Sequence, residues 1–148
     1  MTVFMRAAAA ALALAALGCD ATLNEEEPPA APSAPPSSGV TQLQITDLRA
    51  GTGIEATAGR YLTVRYSGWL YDSSKTDNKG TQFDAGTYAF FLGNRQVIAG
   101  WEQGLAGMRV GGMRRLVIPP SLGYGSTPYG PIPANSTLVF DVELLDAR

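Results

Sequence analysis

From Tyr61 to Tyr71 apolar and polar residues alternate, so that Leu62, Val64, Tyr66, Gly68 and Leu70 share one face, the period of a half-buried strand. Leu138, Phe140, Val142 and Leu144 repeat that alternation near the C-terminus. Shorter β-like runs occupy 42–48, 88–92 and 114–119, each bounded by Gly, Pro or Asp-containing stretches. One interval has helical spacing: between Gly100 and Met108, the residues Trp101, Leu105 and Met108 fall at i, i+4 and i+7, and Gly111-Gly112 then supplies a turn. Together these elements predict an α+β domain over residues 40–148, a twisted antiparallel five-stranded sheet around one short helix. The polar stretch 73–80 reads as a solvated loop, and Phe90 and Phe91 read as packing residues. Glu102 and Asp141 are expected to satisfy backbone groups.

Upstream of the domain the pattern changes. Arg6 precedes a run of apolar residues, 7–18, rich in Ala and Leu, that stops at Cys19. Such a run, about a dozen residues long, is too short for a spanning helix, which needs about 20, and reads as a signal peptide over 1–18. The stretch Ala16-Leu17-Gly18-Cys19 resembles the lipobox of bacterial lipoproteins, with Ala16 where Leu is usual, and the resemblance implies acylation of Cys19. Residues 19–39 then form a linker rich in Pro, Ser and Glu without a large apolar side chain from Asn24 onward, unable to build a core. In a polyproline-like form at about 3.1 Å per residue it reaches roughly 60 Å. The expected location is the bacterial cell envelope, lipid-anchored on the periplasmic side of the inner membrane or at the outer membrane.

Composition narrows the chemistry. Among 148 residues there is no histidine and a single cysteine, which removes imidazole bases, thiolate nucleophiles and nitrogen–sulfur metal sites. No serine lies in a G-x-S-x-G elbow. The net charge of −2 argues against a nucleic-acid surface. No cofactor and no metal are expected.

Read in order, Tyr66-Ser67-Gly68, Phe83-Asp84, Val97-Ile98-Ala99-Gly100-Trp101-Glu102, Gly111-Gly112-Met113-Arg114, Ile118-Pro119-Pro120, Tyr124-Gly125 and Leu138-Val139-Phe140-Asp141-Val142-Glu143-Leu144 resemble the FKBP-type peptidyl-prolyl cis-trans isomerases. The resemblance implies an aromatic hollow floored by Trp101, with substrate-binding residues Tyr66, Phe83, Tyr88, Val97, Tyr129, Ile132 and Phe140. It further implies catalytic roles for Asp84, the phenol of Tyr124 and the backbone N–H of Ile98. Tyr88 stands where the family commonly has Phe, and Tyr129 where a loop residue is often His. The segment 72–82 is longer than in the smallest members, and 85–87 is shorter and lacks an Arg that pairs with the Asp in some of them. Implied partners are proline-containing polypeptides and macrolide inhibitors, with the protein acting as a monomer. The activity implied is non-covalent rotation of X-Pro bonds during folding of exported proteins; the alternatives are a proline-segment-binding chaperone module with little turnover and an envelope lipoprotein using the fold as a scaffold.

Overall fold

The computed structural model describes residues 39–148; the signal-peptide reading, Cys19 and nearly all of the linker lie outside them. Five strands, β1 (Gln44–Arg49), β2 (Tyr61–Tyr71), β3 (Lys79–Phe91), β4 (Met113–Ile118) and β5 (Leu138–Ala147), form one sheet in the order β1-β4-β5-β2-β3, every pairing antiparallel. A single α-helix, α1 (Ala99–Gly104), and one 3-10 turn (Pro120–Leu122) complete the regular elements among the described residues.

Alternation in β2 and β5 sorts side chains as expected. Leu62, Val64 and Gly68 of β2, with Leu138, Phe140, Val142 and Leu144 of β5, are buried on the face that carries α1, where Tyr66 and Leu70 also pack against the core. On α1 the close approach to β4 depends on two glycines one turn apart. A Cβ added at Gly100 would lie 2.5 Å from Ile118 Cγ2, and one at Gly104 would lie 2.6 Å from Leu116 Cδ2. Both obstructing side chains are fully buried, so neither has room to yield. The helix ends sooner than the apolar stripe suggests: Gly107 adopts φ +80°, and Leu105 and Met108 are buried from the turn that follows.

Three expectations need correction. The segment 73–80 is a loop only as far as Asn78, and the strand expected at 88–92 begins already at Lys79, which pairs with Tyr71 and sits over the Trp69 ring at 4.0 Å. Local polarity hid this because β3 is an edge strand, most of whose positions face solvent. The strand β1 is likewise exposed at every position, although Ile45 and Leu48 are apolar. Asp141 serves side chains rather than backbone: Arg115 donates from Nε and Nη2 at 2.7 and 2.9 Å, and Lys79 Nζ donates at 2.6 Å. Sheet pairing sets Arg115 directly opposite Asp141, on the face away from the helix.

Glu102 does bind backbone, its Oε2 accepting from the Gly93 N–H at 2.5 Å. Phe90 is buried, whereas Phe91 packs on the outer face against Tyr61, ring centroids 4.9 Å apart.

Candidate functional site

Between the helix, β2, β3, β5 and the loop after the 3-10 turn lies an open hollow of about 490 Å³. Its floor is Trp101, placed in the first turn of α1 and held by two edge-on neighbours: Tyr66 at 5.2 Å and Phe140 at 5.3 Å between centroids. Phe83 in turn meets Phe140 edge-on at 5.5 Å. Such T-shaped contacts are the favoured geometry for aromatic quadrupoles and keep each ring in one orientation. Gly68 makes this possible, since a Cβ there would fall 2.7 Å from Phe140 Cε1 and 2.8 Å from Phe83 Cζ.

On one wall, Tyr66 donates its phenolic hydrogen to Asp84 Oδ2 at 2.7 Å, and Asp84 Oδ1 accepts from the Ala85 N–H at 2.9 Å. The strands put these two side chains diagonally across the β2–β3 pair, where Gly68 faces Asp84 and Tyr66 faces Gly86. Burial and the neighbouring Asp84 push the Tyr66 phenol up to about 12, so it stays protonated and remains a donor. No cation pairs with Asp84 among the described residues. The shortened segment after Asp84 is thus accompanied by a phenol and a backbone amide as its partners.

Opposite stand Tyr124 and Tyr129, stacked at 4.6 Å with an angle of 4° between rings. Tyr129 is 62% exposed and forms the outer lip. Burial, then the nearby Tyr129 and Asp84, raise the Tyr124 phenol above its ordinary value, and its hydroxyl has no hydrogen-bond partner among the described residues. Ile98 begins the helix: its carbonyl accepts from Trp101 N at 2.9 Å and Glu102 N at 3.2 Å, while its own N–H makes no hydrogen bond among the described residues. The hollow therefore combines apolar aromatic walls with uncommitted donors, among them the Tyr124 hydroxyl, the Ile98 N–H and the buried Trp101 indole N–H.

Ten of the eleven expected site residues line this hollow: Tyr66, Phe83, Asp84, Tyr88, Val97, Ile98, Trp101, Tyr124, Tyr129 and Phe140. Ile132 does not. It is 3% exposed and belongs to the core beside the lining, because its bridge to Tyr129 turns the side chain inward. Two lining residues escaped the sequence reading, Arg95 and Gln96. They sit directly before Val97, and their proximity to that motif was the signal available. Gln96 Oε1 accepts from the Phe91 N–H at 2.8 Å and braces the loop 92–98 against the end of β3. Among the described residues no group of His, Cys, Asp and Glu is arranged to hold a metal ion, and no helix is long and apolar enough to cross a membrane.

Comparison with known proteins places this geometry. Residues 53–145 match the family model described as FKBP-type peptidyl-prolyl cis-trans isomerase. The chain is 45% identical over 104 residues to an FK506-binding protein of Neisseria meningitidis serogroup A, covering 70% of this chain and 94% of that one. It is 46% identical over 118 residues to FK506-binding protein 4 of Chaetomium thermophilum, covering 76% of this chain but 23% of the relative. The chain spans about a quarter of the length of that relative and of the other fungal and insect proteins it matches. Among solved structures, FkpA from Escherichia coli superposes with a TM-score of 0.62 at 40% identity, over 73% of this chain and 49% of that one. A peptidyl-prolyl cis-trans isomerase from Pseudomonas syringae superposes with 0.60 at 35% identity, over 71% and 74%. With the matched segment running from the loop before β2 almost to the end of β5, and so through every wall of the hollow, the chain belongs to the FKBP-type peptidyl-prolyl cis-trans isomerase family.

Proposed function

We propose that the hollow catalyses cis–trans interconversion of X-Pro bonds in exported polypeptides, with the protein acting as a monomer. The observation that carries this reading is that two of the free donors, the Tyr124 hydroxyl and the Ile98 N–H, belong to a cavity walled by Trp101, Phe83 and Phe140. Rotation about an X-Pro bond must break amide resonance against a barrier of about 18–20 kcal/mol. In the twisted transition state the amide loses its charge-separated character, so a cavity that sheds water favours it over the planar ground state. Trp101 and its edge-on neighbours would receive the proline ring. Tyr124 and Ile98 would hold carbonyl oxygens of the peptide, and Asp84 would keep the Tyr66 ring in place. FK506-type macrolides would compete for the same hollow.

The test is the rate of cis-to-trans conversion in a short X-Pro peptide. Acceleration should fall about three- to tenfold in Tyr124→Phe, the loss of one net hydrogen bond in the transition state. Thermal unfolding should stay close to that of the parent protein. A folded protein that binds the peptide without accelerating it would instead be a proline-binding chaperone module. In Asp84→Leu, a drop in kcat/KM without a matching loss of stability would place Asp84 in turnover; equal losses would make it structural.

We further infer attachment to a bacterial envelope membrane through acyl chains on Cys19. The support is positional: the only cysteine stands where the apolar run 7–18 stops and a Pro-rich tether begins. Cys19→Ser should move the protein from the membrane to the soluble fraction, and unchanged sedimentation would refute the anchor.

A further inference from the structure

Arg95 is the one arginine among the described residues without a side-chain partner. The other seven each hold a hydrogen bond or ion pair: Arg49, Arg65, Arg109, Arg114, Arg115 and Arg148 with carboxylates, and Arg60 with Thr57. Arg95 lies instead at the hollow, exposed, on the loop between β3 and α1. Its backbone is left-handed at φ 56°, a conformation that costs a residue with a Cβ about 1–2 kcal/mol and that glycine adopts freely. The loop is nevertheless pinned around it, by Gln96 to the Phe91 N–H and by Glu102 to the Gly93 N–H. A long cationic side chain is thus carried at a strained but anchored position on the rim of the cavity.

The only other formal charge in the lining belongs to Asp84, whose oxygens are already engaged by Tyr66 and Ala85. No ion pair joins it to Arg95. A proline seated on Trp101 would therefore meet neutral aromatic walls, and its flanking residues would meet one unpaired guanidinium. We propose that Arg95 is a specificity residue that selects proline segments carrying an Asp or Glu next to the proline. This rests on the hollow being the proline site.

Short peptides that differ only in Glu, Gln or Lys immediately before or after the proline test it, using the full chain in mild detergent. Both the isomerisation rate and equilibrium binding of each peptide are measured. At low salt Glu should be favoured over Lys about two- to fivefold at one of the two positions, the range of an exposed ion pair. The preference should shrink toward unity at high salt, disappear in Arg95→Gln and reverse in Arg95→Glu. Arg95→Gly, which suits the left-handed backbone, should behave as Arg95→Gln does and show that charge, not loop shape, sets the choice. A Glu-to-Lys ratio that is near one in the parent protein, or unchanged in Arg95→Gln, overturns the proposal. Binding preference without turnover would leave the role of Arg95 standing and sink the isomerase reading; turnover without preference would do the reverse.

Discussion

Phe140→Ala should lower the unfolding free energy by about 3–5 kcal/mol and reduce isomerisation of an X-Pro peptide more than any other single change in the hollow. Phe140 is the residue shared by core and cavity. It meets Trp101, Phe83 and Tyr66 at 5.3, 5.5 and 6.4 Å between centroids, and it is 4% exposed. Removing the ring opens a void that these three side chains cannot close, because Trp101 is fixed to a helix pressed on β4 through Gly100 and Gly104. Denaturant unfolding measures the stability term. Phe140→Leu refills most of the volume but not the edge-on contacts, so it should recover most of the stability and little of the rate. Recovery of both together would mean that the ring contributes bulk alone.

Asp141→Asn should cost about 2–3 kcal/mol and flatten the acid limb of the stability curve. The carboxylate sits between Arg115 and Lys79 with side-chain exposures of 16%, 24% and 18% respectively. Losing its charge leaves two half-sequestered cations beside a neutral amide; the remaining solvent access keeps the cost below the roughly 3–5 kcal/mol of a fully buried broken pair. Burial opposes ionisation of Asp141, but the hydrogen bonds and charges of Arg115 and Lys79 outweigh it, and the carboxyl titrates below its usual range. A pKa depressed by folding stabilises the native state above the unfolded value of about 3.9 and loses that contribution as pH falls through the folded one. The parent protein should therefore weaken more steeply than Asp141→Asn as the pH falls below the unfolded value. Parallel acid limbs would show that the triad contributes nothing to the pH dependence.

These two neighbours on β5 illustrate how much was legible from residue order. Alternation assigned Phe140 to the inner face and Asp141 to the outer one, since a strand's period of two leaves no other choice once Leu138, Val142 and Leu144 are inside. What Asp141 binds was not legible. Arg115 lies 26 residues away and Lys79 lies 62, and only the antiparallel registers of β4 and β5 and of β2 with its neighbours bring them together. The first nine residues of β3, 79–87, were missed ahead of the run expected at 88–92 for a related reason: an edge strand with solvent on most sides carries no apolar alternation.

Residue order by itself determined the strands with one buried face, the existence and position of the helix, the absence of imidazole and thiol chemistry within the domain, and, through its ordered motifs, which aromatic residues gather around Trp101. Tertiary structure alone decided the partners: that Tyr66 donates to Asp84, that Ile132 turns into the core, and that Arg95 stands unpaired at the cavity rim. The division has a physical cause. Periodicity and burial are set by each residue's transfer from water and are written locally, whereas a hydrogen bond or an unpaired charge depends on the angles at which separate strands and loops meet, which no local pattern encodes.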